Sequence, residues 1–245
     1  MLPLALAPKD DMLEGMHGIL LVDKPIGWTS FDAVNKVRRL VEAAGLHTSG
    51  RKRFPVGHTG TLDPLASGLL VLLLGDYTRK APELTKLDKI YEVTMRLGQT
   101  SSTGDEEGEK QYVSEARPTQ EAVEAALKSF VGDSLQTPPA FSAIKINGQR
   151  AYKLARAGKD VQLEPRPIKV LCLDLVNYEY PDVRFVADVS SGTYIRSLVE
   201  DLGAALGAGA YMSALRRTKV GTFDIAAAIS PEGLTPEILR ASVKL

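Results

Sequence analysis

A short polar loop, residues 57–68, carries the side chains of this sequence that are best suited to chemistry. The reactive groups are those of His58, Thr59, Thr61, Asp63 and Ser67. Glycines at 57, 60 and 68 allow the backbone to approach a ligand closely. The density of polar groups and glycines in one loop indicates a site, although these residues alone do not indicate a reaction.

Each of these residues also has an ordinary structural explanation. An Asp-Pro pair such as Asp63-Pro64 commonly opens a turn, because the carboxylate can accept hydrogen bonds from backbone N–H groups two residues further on. A single histidine such as His58 is more often a surface or core residue than a catalyst. Taken one at a time, the loop residues are therefore better explained by structural roles than by catalysis.

The element that must position this loop is the apolar run that follows it, residues 69–74. This run consists of Leu and Val only and is bounded by Gly68 and Gly75. Such a pattern is typical of a strand that is covered on both faces. A rigid buried strand would fix the loop before it, which is how functional sites are commonly built.

Five segments, in the same order along the chain, resemble motifs of one enzyme family. They are GILLVDKPIGWTSFDAVNKVRRL at 18–40, GHTGTLDPLASGLL at 57–70, KIY at 89–91, PPAFSAIKINGQRAYKLARAG at 138–158 and SGTYIRSLVEDLG at 191–203. Together they resemble the bacterial tRNA pseudouridine-55 synthases, the TruB family. The resemblance covers most of the chain from residue 18 to about residue 221.

The resemblance implies an isomerase that converts uridine to pseudouridine at position 55, in the T-arm of tRNA. The C1′–N1 bond breaks, the base turns, and C5 joins C1′, so the reaction needs no redox change and no group donor. The sequence contains neither a GxxxxGK[ST] nor a GxGxxG phosphate-binding motif, in agreement with this chemistry. We therefore expect no cofactor and no metal ion.

The resemblance assigns catalysis to three residues. Asp63 is the reacting carboxylate, and Arg196 is the partner whose guanidinium would orient it and keep it ionised. Tyr91 would stack on the target base and accept a proton late in the reaction. Whether Asp63 attacks the ring, attacks C1′ or removes the C2′ proton stays open. Without their motifs, Arg196 would be a surface arginine of a helix and Tyr91 a core residue of a strand.

Further residues would contact the RNA after the target base has been flipped out of its stack. By resemblance, His58 fills the space that the base leaves, Arg79 binds a phosphate, and Leu215 forms part of the pocket wall. The same motifs imply RNA or substrate contacts from Lys24, Gly60, Thr61 and Tyr194. An insertion at residues 138–167 and basic residues of the first helix would hold the RNA backbone, with an affinity that falls as salt rises.

Composition fits a cytoplasmic enzyme. The chain has 245 residues with 30 basic and 30 acidic side chains, and its basic residues cluster at 35–53 and 145–169. Cys172 is the only cysteine, which excludes an intramolecular disulfide and a Cys-based zinc site. Residues 1–15 are too short an apolar stretch for a membrane span and lack the basic start of a secretory signal.

The hydrophobic pattern predicts an α/β (α+β) fold with a mixed, largely antiparallel sheet flanked by helices, the pseudouridine-synthase fold of the family. Strands are expected at 18–22, 69–74, 91–97, 168–178, 183–189 and 211–223. Helices are expected from an N-cap at Ser30 to about 44 and at 76–84, 120–131, 150–157 and 194–206. The acidic stretch at 99–118 is expected to be an exposed loop.

Residues 16–230 are predicted to form one catalytic domain, after a flexible lead at 1–15 and before a short C-terminal tail at 231–245. Many bacterial members of the family carry an additional RNA-binding domain after the catalytic one, and we expect no such domain here. Contacts to distal parts of tRNA, and hence the substrate range, therefore stay open.

We expect a monomer that binds the T-arm stem-loop of tRNA, with no membrane association and no protein partner. Two alternatives stay open. One is a tRNA-binding folding helper without catalysis, and the other is the catalytic subunit of a guide-RNA machine, as in the related dyskerin branch.

Overall fold

The computed structural model describes residues 16–45, 53–142, 144–146, 148–159 and 161–245. The predicted lead at 1–15 and part of the basic cluster at 35–53 lie outside these ranges. The strands are β1 (Gly18–Lys24), β2 (Val56–His58), β3 (Ser67–Leu74), β4 (Lys89–Leu97), β5 (Gln99–Ser101), β6 (Lys110–Tyr112), β7 (Gly132–Gln136), β8 (Lys145–Ile146), β9 (Gln149–Arg150), β10 (Arg166–Glu179), β11 (Asp182–Val189), β12 (Ala210–Val220) and β13 (Phe223–Asp224).

The helices lie between these strands and cover the sheet. They are α1 (Ser30–Ala43), α2 (Ala81–Leu84), α3 (Gln120–Ser129), α4 (Ala151–Arg156), α5 (Ile195–Ala205) and α6 (Pro236–Ser242), with 3₁₀ helices at Gly75–Lys80 and Ile225–Ala227. No helix among the described residues is long and apolar enough to cross a lipid bilayer.

One large sheet organises the molecule. Its strand order is β1-β3-β12-β4-β11-β10-β7, with β2 paired to β3 and β13 paired to β12. Every pairing is antiparallel except that of β12 with β3, which is parallel. The predicted mixed, largely antiparallel sheet is therefore confirmed.

Strand β3 lies inside the sheet and is covered on both faces, as its sequence predicts. Leu70, Leu72 and Leu74 pack in one buried cluster with α1, β1 and α6. Leu69, Val71 and Leu73 pack in a second cluster on the other face. The loop before β3 is thus attached to a strand that cannot shift without disturbing two cores.

The largest core lies where α3 and α5 cover β4, β10, β11 and β12. It also includes Leu62 and Ala66, which flank Asp63 in sequence. Both ends of the candidate loop are therefore anchored in packed apolar surface.

The start of α1 differs from the prediction, because Thr29 and not Ser30 is its N-cap. Thr29 Oγ1 accepts from the Asp32 N–H at 3.1 Å, and Asp32 Oδ2 accepts from the Thr29 N–H at 2.8 Å, which completes a capping box. Ser30 is buried and binds elsewhere, donating to Leu62 O at 3.1 Å and accepting from the Leu62 N–H at 2.8 Å. The capping prediction missed a tertiary contact that holds the candidate loop.

Residues 99–118 also differ from the prediction of an exposed loop. They contain the β5–β6 hairpin, and Asp105, between those strands, is only 3% exposed. The Met212 N–H donates to Gly104 O at 3.0 Å, which fixes this hairpin to β12. The acidic composition indicated solvent exposure, but the Asp105 carboxylate has a buried cationic partner, Arg196.

The C-terminal segment at 231–245 packs against the first strand. Leu234 and Leu239 are buried beside β1 and α1, and the Ile19 N–H donates to Lys244 O at 2.8 Å. The division of the chain into lead, catalytic domain and tail stays a prediction.

Candidate active site

A cleft of about 320 Å³ opens beside the loop that precedes β3. Its walls come from four parts of the fold: residues 60–63 of the loop, residues 192–196 at the start of α5, side chains of β12, and Thr85 with Lys89, just before and at the start of β4. Phe141 and Ser142, from the predicted RNA-gripping insertion, complete the border. Segments that are far apart in sequence therefore meet around one cavity.

The loop that carries Asp63 is held by backbone contacts at several points. The Ser30 hydroxyl binds both backbone groups of Leu62, the Ala66 N–H donates to Asp63 O at 3.1 Å, and the Gly27 N–H donates to Pro64 O at 2.8 Å. The Asp63 side chain itself is 40% exposed. A fixed backbone thus presents a carboxylate that is accessible from the cleft.

Arg196 lies across the cleft from the loop, in the first turn of α5. Its Nη2 is 3.2 Å from Asp63 Oδ2, and its Nη1 is 3.4 Å from Asp105 Oδ2. The same nitrogens donate to two carbonyl oxygens, Nη1 to Thr103 O at 3.1 Å and Nη2 to Phe141 O at 2.9 Å. The guanidinium is therefore fixed in orientation by four groups, and only 8% of its side chain is exposed.

The start of α5 is fixed separately by Gln136, a buried residue of β7. Its Nε2 donates to Tyr194 O at 3.0 Å, and its Oε1 accepts from the Tyr194 N–H at 2.8 Å. The next turn is held by Ser197, whose hydroxyl donates to Thr137 O at 3.0 Å. Burial raises the pKa of the Tyr194 hydroxyl, which keeps that side chain neutral and polar in the cleft wall.

Two further cations, Arg217 and Lys89, are buried beside the loop. Arg217 is only 1% exposed, and its Nε donates to Leu69 O at 2.7 Å and its Nη2 to Gly60 O at 3.1 Å. Gly68 lets β12 approach this closely, since a Cβ there would lie 2.3 Å from Arg217 O. Lys89 is 6% exposed and donates to Thr85 O at 2.7 Å and also to Leu87 O.

Two family models match adjoining parts of the chain. Residues 49–195 match the family model described as TruB family pseudouridylate synthase (N terminal domain), and residues 196–242 match that of the tRNA pseudouridylate synthase B C-terminal domain. This chain belongs to the TruB family.

Curated family members are similar over most of the chain. The tRNA pseudouridine synthase B of Burkholderia lata is 46% identical over 223 residues, which are 90% of this chain and 65% of that protein. The tRNA pseudouridine synthase B of Stutzerimonas stutzeri is 47% identical over 222 residues, or 89% of this chain and 68% of that protein. The chain thus spans about two thirds of the length of these TruB relatives.

A solved structure extends the likeness to the whole fold. A chain of a Cbf5-Nop10-Gar1 complex superposes with a TM-score of 0.68 at 29% identity, covering 93% of this chain and 59% of that one. This likeness and the family match agree with the predicted pseudouridine-synthase fold.

Six of the residues that the TruB resemblance singled out line the cleft together. They are Asp63, Arg196, Gly60, Thr61, Tyr194 and Leu215. Their convergence from a loop, a helix and a strand agrees with the sequence-based choice of site, while the role of each residue stays a prediction.

Four others lie outside the lining of the cleft, as far as the described residues show. Tyr91 is 8% exposed and packs in the main core, next to Arg217 across the β4–β12 pair.

His58 lies at the end of β2, where its Nδ1 accepts from the Gly60 N–H at 3.3 Å. Burial, followed by the charge of Arg217, lowers the pKa of His58 and favours the neutral imidazole. Arg79 is well exposed and lies 3.7 Å from Asp76.

Lys24 is the fourth, and its position differs most from the expected RNA contact. The side chain is fully buried, and Nζ donates to Pro25 O at 2.9 Å and to Trp28 O at 2.7 Å. Burial lowers its pKa to about 8, although the nearby Asp63 carboxylate opposes this change. Lys24 therefore lies buried beside the loop that carries Asp63, and its expected RNA contact stays a prediction.

Sequence reasoning missed Asp105 and gave no site role to Lys89 and Arg217. Lys89 lay inside the recognised KIY segment at 89–91, which was an available signal, whereas Arg217 lies outside the five segments. Asp105 gave no such signal in the sequence, because its neighbours form a polar, acidic stretch that resembles a solvated loop.

Among the described residues, His, Cys, Asp and Glu side chains do not gather in groups of three or more that could hold a metal ion.

Proposed function

We propose that this protein isomerises uridine to pseudouridine at position 55 in the T-arm of tRNA, with Asp63 as the reacting carboxylate. The observation that carries the proposal is the Asp63–Arg196 pair, 3.2 Å apart in a cleft of about 320 Å³. Its relatives at 44–47% identity are named tRNA pseudouridine synthase B. Their name supports tRNA as the substrate.

The chemistry follows from what the paired groups can do. The Arg196 guanidinium pairs with the Asp63 carboxylate and orients it in the cleft. An ionised carboxylate can act as a nucleophile or as a base while the C1′–N1 bond breaks. Because Arg196 is already held by Asp105 and two carbonyl groups, little reorganisation accompanies this step.

The target nucleotide must leave its stack to reach Asp63, at a cost of a few kcal/mol. Binding of the RNA backbone would offset this cost, and the insertion that borders the cleft is suited to it. Its exposed cations include Lys145, Arg150, Lys153, Arg156, Lys159 and Arg166. These side chains would make phosphate contacts whose strength falls as salt rises.

The residues of a single chain are enough to form the cleft, and we propose that the active form is a monomer. A tRNA substrate, together with a single cysteine, favours action in the cytoplasm. We infer both from these observations.

A second candidate is the catalytic subunit of a guide-RNA machine. It is favoured by the superposition on a chain of the Cbf5-Nop10-Gar1 complex at 29% identity. The stronger likeness to tRNA pseudouridine synthase B, at 46% identity, favours an enzyme that needs no guide.

One experiment separates these functions. Purified protein is incubated with a transcribed tRNA that contains no modified bases, and pseudouridine is mapped at single-nucleotide resolution. We expect full conversion of position 55 without any guide RNA or second protein. Tight tRNA binding without conversion would instead support the folding helper, and conversion only with a guide and partner proteins would support the guide-RNA machine.

A further inference from the structure

We propose that Lys89 and Arg217 form an anion-binding subsite in the cleft, which stabilises the uracil ring when it leaves C1′ as an anion. This inference rests on the proposed function. It assigns a role in the reaction to two buried cations that the Asp63–Arg196 pairing does not use.

The two cations converge on one point of the cleft wall. Both line the cleft, and both approach Gly60, where a side-chain Cβ would lie 3.5 Å from Arg217 Nη1 and 3.7 Å from Lys89 Cε. A glycine at this position leaves the space beside the two side chains open. A ligand that enters the cleft can therefore approach both of them.

Neither cation has a carboxylate partner within 4.0 Å in the described part of the chain. Lys89 and Arg217 donate to backbone carbonyl oxygens only. An ammonium has three donors and a guanidinium five, so each side chain has donors to spare. Buried cations without counter-ions are costly to a fold, which makes an anionic ligand a physical reason for their presence.

The charges around Arg196 have the reverse balance. There, a single guanidinium lies between two carboxylates, those of Asp63 and Asp105. The site thus has two cations near Gly60 and a net negative charge around Arg196. Burial and the nearby Arg217 lower the pKa of Lys89 to about 8, so the lysine is cationic at neutral pH.

This polarity matches the charges that develop in the reaction. When the C1′–N1 bond breaks, its electron pair stays on N1, and the negative charge spreads over N1, O2 and O4 of the uracil. The sugar becomes electron-poor at C1′, next to the carboxylates. When C5 then bonds to C1′, the ring is neutral again. C5 afterwards loses its proton to a base or water and N1 gains a proton, which gives neutral pseudouridine. Fixed cations in a site with little water stabilise such a transient anion strongly.

The test compares two bases in one RNA hairpin, uridine and 5-fluorouridine, at the target position. Fluorine makes the uracil anion intrinsically more stable, so its departure depends less on the protein. We expect Lys89→Met to slow single-turnover loss of uridine by about 100-fold and loss of 5-fluorouridine by much less. The exposed Lys86 provides a matched control, since Lys86→Met should leave both rates unchanged.

Binding measurements distinguish the uracil anion from an RNA phosphate as the ligand. If the subsite serves the leaving base, the Kd of Lys89→Met for the hairpin stays within about twofold of the parent, because a phosphate contact would weaken binding instead. A thermal melt shows whether the variant is folded, and in a folded variant the ratio of the two base rates reports the electrostatic role.

Three results would overturn the inference. They are an equal loss of rate with both bases, an unchanged rate with uridine, and a large loss of affinity that accounts for the slower reaction. If the parent protein converts neither base, the proposed function itself fails, which distinguishes the two failures.

Discussion

At the scale of single residues, the central feature is that Arg196 contacts two carboxylates from different parts of the chain. The partnership with Asp63 could be predicted, because both residues lie in motifs that the sequence displays. The contact with Asp105 at 3.4 Å could not, because a buried ion pair between such distant positions depends on how β5, β6 and α5 meet. Local composition predicts that an acidic stretch is exposed to solvent, but a tertiary contact with Arg196 buries the Asp105 carboxylate.

Replacing Asp105 tests this arrangement. Asp105→Asn keeps the shape but removes one charge from a buried pair, so we expect the free energy of unfolding to fall by about 3 kcal/mol. We also expect kcat to fall by at least about tenfold, since Arg196 is then less firmly oriented toward Asp63. Urea denaturation and single-turnover assays measure the two effects.

The control for this variant is Glu107→Gln, which removes an exposed carboxylate from the same turn. It should change neither stability nor turnover measurably, as is usual for exposed charges. Equal behaviour of the two variants would show that the Arg196–Asp105 contact contributes nothing.

At the scale of elements, the polar loop depends on α1 as much as on β3. The buried strand, the first helix and the helix that carries Arg196 were all predictable from their hydrophobic periods. The function of Ser30 was not, because a serine at a helix start is ordinarily explained by capping. Here Thr29 caps the helix, and the Ser30 hydroxyl binds Leu62, directly before Asp63.

Neighbouring alanine substitutions separate these two roles. Ser30→Ala leaves both backbone groups of Leu62 without a buried partner, so we expect the free energy of unfolding to fall by about 2 kcal/mol and turnover to fall as well. Thr29→Ala should cost about 1 kcal/mol through loss of the cap while turnover stays normal. Equal turnover in both variants would contradict a positioning role for Ser30.

At the scale of the whole molecule, basic and acidic residues are equal in number but unevenly distributed in space. The sequence has 30 basic and 30 acidic residues, yet Lys24, Lys89 and Arg217 are buried around one loop. The mixed, largely antiparallel sheet was predictable from the alternation of elements. The edge strand β7, the parallel contact of β3 with β12 and the burial of these cations were not, since each depends on pairings between distant segments.

The buried Lys24 makes stability depend on pH. Its pKa falls from 10.5 to about 8 on folding, so the folded chain binds fewer protons than the unfolded chain between these values, and the free energy of unfolding rises with pH there. Between pH 7 and pH 9 the parent should gain about 1.4 kcal/mol relative to Lys24→Met. Urea denaturation of both proteins at the two pH values gives this difference, and an unchanged difference would exclude the lowered pKa.

The most direct test of the account is the turnover of Asp63→Asn on a tRNA transcript, measured beside its affinity for the same RNA. Asparagine keeps the shape of the side chain but cannot act as nucleophile or base, so we expect no pseudouridine over a range of at least about a thousandfold, or ~4 kcal/mol of barrier. The Kd for tRNA should stay near that of the parent, and Asp76→Asn, at an exposed position, should be fully active. Turnover of Asp63→Asn within a few-fold of the parent rate would contradict the assignment of Asp63 as the reacting group.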